Sequence, residues 1–263
     1  LGGSAVAVFP SGGYTGKYFN HLLELENIPS IIIETKNETR ENIIVLEEST
    51  NNQYRFGMPG TELSEEEWKQ CLHAVEERNA VEYIVASGSL PPGVPLDVYA
   101  QLSKIAKTKN AKLIIDAPGE ALKQAVTEGA YLVKPNLGEL ASLAGMERID
   151  ISEVETVAKR ILNNYPVEIM AISLGSDGAM LLTKNEMYKI MPPQVQRKST
   201  VGAGDSMVAG IIYSLSNGMS LKEALQYGVA CGTAATMNAG TELCKRADAE
   251  YLYKKICAMQ SYI

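Results

Sequence analysis

Short apolar segments alternate with amphipathic segments along most of the 263-residue chain. The apolar segments are typical of buried strands, predicted at Tyr83–Ser87, Lys112–Asp116, 130–134 and 169–174. The segments between and after them have helical spacing, at 95–108, 119–128, 137–144 and 152–163. Alternation of this kind builds a mostly parallel sheet with helices on both faces, so the predicted fold class is α/β. Ligands bind such sheets beyond the carboxyl ends of the strands.

The first residues continue this pattern. A buried strand is predicted at 5–9, a helix at 14–26, a strand at 31–33, and a helix at 65–78 that Ser64 caps. Leu1, Gly2, Gly3 and Ser4 run directly into the first strand, and the chain does not begin with Met. We therefore expect that further residues precede Leu1 in the natural protein.

Two hairpins interrupt the alternation. Residues 42–48 and 53–58 alternate around a Ser-Thr-Asn-Asn turn, which predicts a hairpin with one exposed face. We interpret residues 37–59 as a small β lid on a core formed by 1–36 and 60–263. Residues 179–183 and 187–191 predict a second hairpin at a sheet edge, and the chain after Pro193 is predicted helical to its end.

Composition excludes several classes of function. Apolar residues make up 46% and charged residues 21%, as in an ordinary soluble globular protein with a substantial core. The net charge of −7 argues against a nucleic-acid partner, and no apolar run has the length of a membrane span. Four cysteines without metal-ligand spacing predict reduced thiols in the cytoplasm. Only two histidines are present, which argues against a His-centred triad.

The strongest local motif is Gly202-Ala203-Gly204-Asp205, preceded by Ser199 and followed by an apolar helical face. Glycines before a helix let backbone N–H groups converge on an anion, and the helix N-terminus adds partial positive charge. Asp205 would lie beside this anion site and could accept a proton from an attacking hydroxyl. An Asp that merely caps the helix is the alternative, and GAGD by itself does not decide between them.

A second motif follows the predicted strand at 130–134. Lys134, Asn136 and Glu139 stand at a strand end and a helix start, where two oxygens could face Mg²⁺. Helix capping by Asn136 and Glu139 explains the same spacing equally well. Asp116 ends its own predicted strand and contributes another carboxylate to this edge.

Three further sites follow from strand ends and the lid. Ser89 lies in a rigid Ser-Gly-Ser-Leu-Pro-Pro-Gly turn, which indicates a binding wall or an ordinary structural turn. Ser173 and Gly175 follow another strand, where glycine permits the close approach of a flat ligand. Arg40 stands at the base of the lid and is either solvated or bound to a phosphate through a charge-assisted fork.

These motifs together resemble the phosphofructokinase B family of the ribokinase-like superfamily. The similarity runs in register through TRENI, QYRFGMPG, SGSLPPGVP, KPNLGEL, SLGSDGA, STVGAGDSM and CGTAATMNAGT, which span nearly the whole chain. Residues 53–60 and 201–208 most resemble the minor bacterial 6-phosphofructokinase branch. The family's N-terminal strands and its Gly-rich, Asn-containing sugar motif are not among these 263 residues.

The resemblance implies a ribokinase-like fold and a role for each motif. Asp205 would be the catalytic base, and Gly202, Ala203 and Gly204 would bind charge developing on the transferred phosphate. Lys134, Asn136, Glu139 and Asp116 would serve the ATP phosphates and Mg²⁺. Ser173, Gly175 and Asn238 would lie along the nucleotide, and Arg40 and Ser89 would hold the sugar phosphate. A monovalent-cation loop, possible for K⁺, would comprise Ser199, Val201, Ala235, Asn238 and Gly240.

The implied activity is ATP-dependent phosphorylation of a ketohexose phosphate, with fructose 6-phosphate as the expected substrate. Tagatose-6-phosphate kinase and 1-phosphofructokinase share these motifs and stay open as alternatives. A nucleoside or vitamin kinase is disfavoured by Arg40 and the lid sequence. A non-catalytic sugar-phosphate or nucleotide sensor is the alternative outside the enzymes. The exposed lid also predicts a homodimer, as the resemblance does.

Overall fold

The computed structural model describes residues 1–47, 49–50 and 52–260. Its strands are β1 Ala7–Ser11, β2 Ser30–Glu34, β3 Asn42–Glu47, β4 Asn52–Gly57, β5 Tyr83–Ser87, β6 Lys112–Asp116, β7 Ala130–Val133, β8 Val167–Ser173, β9 Ala179–Leu182 and β10 Met187–Ile190. Its helices are α1 Gly13–Leu25, α2 Glu65–Glu76, α3 Val98–Thr108, α4 Gly119–Glu128, α5 Leu137–Ala144, α6 Val154–Asn164, α7 Ala203–Ser216, α8 Leu221–Thr236 and α9 Arg246–Gln260. No helix among these residues is long and apolar enough to cross a membrane.

The central sheet has six strands in the order β10-β9-β8-β7-β6-β5. β5 to β8 are parallel, and β9 and β10 form an antiparallel hairpin at one edge. The predicted parallel core and the predicted edge hairpin are both confirmed. Because four consecutive strands run the same way, the residues that follow them meet at one edge of the sheet.

Alternate residues of each strand contribute to two separate hydrophobic cores, as period-2 strands require. On one face Ile115 and Ile172 pack under helices α3 to α6. On the other face Ile114 and Leu132 pack under α7, α8 and α9. The sheet is therefore covered on both faces, which explains why its central strands are nearly continuous apolar runs.

Several helices begin at side-chain caps, and the cap at Ser64 was predicted from the sequence. Ser64 accepts a hydrogen bond from the Glu67 N–H, and the Glu67 carboxylate accepts one from the Ser64 N–H. The same reciprocal arrangement starts α8 at Ser220. Each cap satisfies backbone donors that a helix start otherwise leaves unpaired.

The first strand pair differs from the prediction. β1 pairs in parallel with β2 as a separate two-stranded sheet, and four of the five residues of β1 are only half-buried. The predicted strand is therefore present, two residues later than the predicted 5–9, but the prediction that it is buried is wrong. An apolar run does not report burial by itself, and here the described residues supply no strand between this pair and the six-stranded sheet. Helix α1 is correspondingly exposed, with Leu25 64% accessible.

The predicted lid hairpin is present as an antiparallel sheet of β3 and β4. Glu48 and Asn51, which the prediction included in the hairpin and its turn, lie outside the described residues. The prediction of helix after Pro193 is wrong for three segments, 194–202, 217–220 and 237–245, which are not helical. These segments flank α7 and α8, and they carry several candidate site residues.

Helices α7 and α8 approach closely because glycines face each other at their contact. A Cβ at Gly210 would lie 2.7 Å from Cys231 Sγ and 3.0 Å from the Gly228 Cα. A Cβ at Gly228 would lie 2.5 Å from Ile211 Cγ1. This contact fixes α7, whose N-terminal end carries Asp205, against the buried helix α8.

We expect Gly210→Ala to lower the free energy of unfolding by about 1–3 kcal/mol, because the added methyl overpacks the helix contact. Gly138→Ala in α5 is the matched control, since its Cβ would meet only Asn136 Oδ1 at 3.4 Å. Its stability should be unchanged or slightly higher, because alanine is the better helix former. Urea unfolding curves measure both, and equal effects of the two substitutions would contradict the close contact.

Candidate active site

Four parallel strands deliver the candidate residues to one edge of the sheet. The Gly88 N–H, just after β5, donates to the Asp116 carbonyl at the end of β6 at 2.9 Å. The Lys134 N–H, just after β7, donates to the Ile115 carbonyl at 3.0 Å. At the end of β8, the Ser173 N–H donates to the Pro135 carbonyl at 3.1 Å. The predicted convergence of strand ends is therefore present.

A buried ion pair lies at this edge. Lys134 Nζ lies 3.0 Å from Asp116 Oδ1, and the two side chains are 7% and 15% exposed. The parallel register of β6 and β7 places both residues just past the last paired positions, so the pair follows from the sheet itself. An ammonium and a carboxylate held away from water must be paired, since either alone would carry a large desolvation cost.

Neighbouring charges and burial act on the Asp116 carboxyl. Burial raises the pKa of Asp116, although the Lys134 charge and its hydrogen bond act in the opposite direction. The negative charges of Asp205 and Glu139 raise the pKa of Asp116 further. Asp116, Lys134, Asp205 and Glu139 thus form one electrostatic cluster, assembled from two strand ends and two helix starts.

The predicted anion loop lies directly beside this cluster. Gly202 adopts a left-handed conformation with φ of +72°, and α7 begins at Ala203. The first intrahelical bond runs from the Ser206 N–H to the Gly202 carbonyl, so the amides of residues 203–205 point out of the helix end. A Cβ at Gly204 would lie 3.5 Å from Lys134 Nζ. The ammonium and the helix N-terminus therefore face the same space, which suits a phosphate.

The segment after α8 packs against the loop at Gly202 and the first turn of α7. The left-handed φ of +72° favours glycine at position 202, and a Cβ there would lie 2.6 Å from Leu243 Cδ2. The Ser206 hydroxyl accepts a hydrogen bond from the Cys244 N–H at 3.4 Å. Asn238 is buried, and its side-chain amide donates to the Leu243 carbonyl at 2.8 Å. One of the two side-chain N–H donors of Asn238 is thus used in a hydrogen bond within this segment.

Residues of the implied monovalent-cation loop meet near the same point. The Ser199 hydroxyl donates to the Gly240 carbonyl at 2.7 Å and accepts from the Val201 N–H at 3.2 Å. The Ala235 carbonyl accepts from the Asn238 N–H at 3.2 Å at the end of α8. The structure therefore joins the segments before α7 and after α8 through Ser199.

Asn136 and Glu139 form a reciprocal cap at the start of α5. The Asn136 Oδ1 accepts from the Glu139 N–H at 2.9 Å, and Glu139 Oε2 accepts from the Asn136 N–H at 2.8 Å. Among the described residues no group of three or more His, Cys, Asp or Glu side chains has the arrangement of a metal site. A metal ion here would accordingly need oxygens from water and from bound phosphates besides the protein.

The nucleotide candidates lie along the next strand. Ser173 forms an isolated parallel bridge with Asn136, which places it next to the α5 cap. Gly175 follows with φ of +62°, at the start of a short 3₁₀ turn, Gly175–Asp177. The chain therefore runs from Ser173, beside the α5 cap, into the turn that begins at Gly175.

Arg40 and Ser89 are both exposed. The neighbours of Arg40 are anchored on the start of α1: the Thr39 hydroxyl accepts from the Gly12 N–H at 2.9 Å, and Glu41 accepts from the Thr15 hydroxyl at 2.9 Å. Arg40 thus extends from a fixed segment, and in the described part of the chain it forms no ion pair.

Sequence reasoning missed the contacts between the lid and the anion loop. Gln53 and Arg55 of β4 reach Ser199 and Thr200, just before Gly202. It also missed Leu243, which closes the back of Gly202. Each contact joins residues far apart in the chain, and no local pattern in the sequence signals it.

Comparison with known proteins identifies the family. The pfkB family carbohydrate kinases match residues 1–248. ATP-dependent 6-phosphofructokinase isozyme 2 of Escherichia coli is 42% identical over 254 residues, covering 96% of this chain and 82% of that protein. The Mycobacterium tuberculosis protein of the same name is 37% identical, covering 97% and 75%. A Bacillus subtilis 1-phosphofructokinase is 31% identical, covering 88% and 76%.

The fold comparison agrees. The structure of E. coli phosphofructokinase-2 in complex with potassium superimposes with a TM-score of 0.93 at 41% identity, covering 98% of this chain and 84% of that one. Other structures of the E. coli protein are described as a complex with substrates and products and as a tetrameric inhibited form. This protein has the ribokinase-like α/β fold and belongs to the pfkB family of carbohydrate kinases.

Proposed function

We propose that this protein transfers the γ-phosphoryl group of ATP to the 1-hydroxyl of fructose 6-phosphate, giving fructose 1,6-bisphosphate. The observation that carries the proposal is the position of the Lys134 ammonium beside Gly204, where the exposed amides of α7 and the Asp205 carboxylate share one anion site. The similarity to 6-phosphofructokinase isozyme 2 over nearly the whole chain supports the substrate.

Asp205 is the proposed general base. It lies in the first turn of α7, beside the amides that would receive the transferred phosphoryl group. Accepting the hydroxyl proton there generates the attacking oxygen next to its target. Gly202, Ala203 and Gly204 would stabilise the charge that develops on the phosphoryl oxygens, and the Lys134 ammonium adds a positive charge on the same side.

Mg²⁺ fits the oxygen-rich edge formed by Asp116, Asn136 and Glu139. Each capping carboxylate or amide uses one oxygen lone pair in the cap and retains further acceptor capacity. These residues would hold the ion through water and the ATP phosphates, and the ion would supply neutralisation of phosphate charge. Ser173, Gly175 and Asn238 would line the nucleotide.

A monovalent cation such as K⁺ is proposed at the loop formed by Ser199, Val201, Ala235 and Gly240. The hydrogen bond between Ser199 and Gly240 supports this assignment, because it joins the segment before α7 to the segment after α8. Backbone carbonyls of both segments would then be available to coordinate the cation. A cation there would stabilise the loop that ends in Gly202.

Residues 37–59 are proposed to act as a lid over the core of residues 1–36 and 60–263. Arg40 at its base and Ser89 in the turn after β5 would bind the sugar phosphate. The anchoring of Thr39 and Glu41 on α1 supports this role, because it presents the Arg40 guanidinium from a fixed backbone.

We expect ADP release that depends on a sugar phosphate, with the highest kcat/KM for fructose 6-phosphate over tagatose 6-phosphate and fructose 1-phosphate. Asp205→Asn should lower kcat by about 100- to 10,000-fold, since the base is lost. Asp150→Asn, an exposed change in the turn between α5 and α6, is the control and should retain activity. A coupled ADP assay measures all three proteins.

Two results would contradict this assignment. Near-wild-type turnover of the Asp205→Asn enzyme would remove the base, and calorimetric binding of sugar phosphate without any turnover of the wild type would identify a sensor. A preference for tagatose 6-phosphate or fructose 1-phosphate would reassign the substrate within the family.

We expect Arg40→Ala to raise the KM for the sugar phosphate by about tenfold or more while changing kcat less, because a charge-assisted bond to the phosphate is lost. The exposed Arg148 provides the control, and Arg148→Ala should leave both constants unchanged. Initial rates against sugar-phosphate concentration measure this, and an unchanged KM in Arg40→Ala would exclude Arg40 from the site.

A homodimer through the lid is also proposed. On one face of the hairpin, Ile43 and Val45 pair with Phe56 and Tyr54 across the strands. All four side chains are about half exposed, which leaves a continuous apolar surface on two short strands. A second lid would bury this surface and cover the strand edges.

We expect Val45→Lys to shift the protein from dimer to monomer, because a buried lysine at the lid interface lacks a partner. Leu96→Lys adds the same charge at an exposed position outside the lid and should not change the oligomeric state. Light scattering after size exclusion at micromolar protein gives the oligomeric state. A wild-type protein that is wholly monomeric in this measurement would refute the lid dimer.

A further inference from the structure

The lid touches the anion loop through two side chains of β4. The Gln53 amide donates to Ser199 Oγ at 3.1 Å, and the Arg55 Nη2 donates to Thr200 Oγ1 at 2.7 Å. Gln53 and Arg55 are alternate residues of one strand, so they lie on the same face of the hairpin. That face is opposite the apolar surface formed by Tyr54 and Phe56.

The acceptors of these bonds are not ordinary surface groups. The Ser199 hydroxyl also bonds the Gly240 carbonyl and the Val201 N–H, so Gln53 is attached to the residue that joins both segments behind the loop. Thr200 is separated from Gly202 by Val201 alone. A displacement of the lid would therefore act on the backbone immediately before the left-handed turn that starts α7.

The other end of the hairpin is tied to the sugar-phosphate side. β3 begins at Asn42, close behind Arg40, and its Asn42 Oδ1 accepts from the Met58 N–H at 3.1 Å, which closes the base of the hairpin. Glu41 is attached to Thr15 of α1. The hairpin is thus one body with Arg40 at its base and the Gln53 and Arg55 side chains on the loop.

We propose that Arg55 and Gln53 are positioning residues that hold the anion loop in its transfer-competent conformation when the lid is seated. This proposal rests on the proposed kinase function of the same site. Arg55 acts through the Thr200 hydroxyl and Gln53 through Ser199, so neither needs to touch the transferred group. The bonds are exposed or only partly buried, which lets the lid open for substrate exchange.

An arginine so close to a phosphate site has a competing role. Arg55 could bind a substrate phosphate directly and use Thr200 only as a resting partner. The two roles differ in what the loss of Thr200 would do. A positioning role requires both the guanidinium and the hydroxyl, whereas direct phosphate binding requires the guanidinium alone.

A double-mutant cycle separates these roles. We expect Arg55→Met and Thr200→Val each to lower kcat by about 5- to 10-fold with little change in the KM for either substrate, as the loss of a polar bond of this kind produces. The double variant should be no slower than the slower single variant, because both remove the same contact. Gln53→Leu should lower kcat independently of Arg55 and Thr200. Arg55→Lys should retain part of the kcat that Arg55→Met loses.

The control is Thr50→Val, the same substitution as Thr200→Val but at the tip of the hairpin, where the hydroxyl donates to Glu47 and accepts from the Asn52 N–H within the hairpin itself. It should leave kcat and both KM values unchanged. A loss of activity in Arg55→Met with normal Thr200→Val would overturn the proposal in favour of direct phosphate binding. Wild-type rates in both variants would also overturn it.

Amide hydrogen exchange without substrates tests the contact independently of catalysis. We expect the amides of residues 199–205 to exchange faster in Arg55→Met and Thr200→Val than in the wild type or Thr50→Val. Unchanged exchange rates would overturn the proposed positioning role of Arg55 even if the enzyme were active. If the two variants exchange faster but the wild type shows no turnover, the contact between the hairpin and the loop is supported and the kinase function is rejected.

Discussion

The buried ion pair between Lys134 and Asp116 is the interaction on which the site depends. Two parallel strands end side by side and place opposite charges 3.0 Å apart, on two side chains that are both largely buried. Burial and the negative charges of Asp205 and Glu139 raise the pKa of Asp116, although the charge and the hydrogen bond of Lys134 act in the opposite direction. The Lys134 ammonium also lies beside Gly204, where a bound anion would gain from its charge.

Much of the fold could be predicted from local patterns. The strands Tyr83–Ser87 and Lys112–Asp116 and the helix over 119–128 have the predicted bounds, because apolar runs, caps and glycines act within a few residues. Burial was predicted less well at residues 5–9, because it depends on which elements cover a strand. The contacts of Arg55 with Thr200 and of Leu243 with Gly202 could not be predicted, because tertiary packing alone creates them.

The two interpretations of Asn136 and Glu139, a helix cap or metal ligands, do not exclude each other. The cap fixes both side chains through one oxygen each and so holds them at the sheet edge before any ligand binds. A carboxylate has about four acceptor positions, and a cap uses one or two of them. The cap thus orients groups that a hydrated ion would otherwise have to order, which lowers the entropy lost on binding.

The lid hairpin shows how a period of two lets one strand serve two surfaces. Gln53 and Arg55 point to the anion loop, while Tyr54 and Phe56 point away from it with Ile43 and Val45. Hydrogen bonds on the first face can break and re-form with water at small net cost, whereas the apolar second face gains only by being covered. A lid held by its outer face to a second subunit and by its inner face to the loop would move as part of the assembly. Its inner contacts would then govern opening in each subunit.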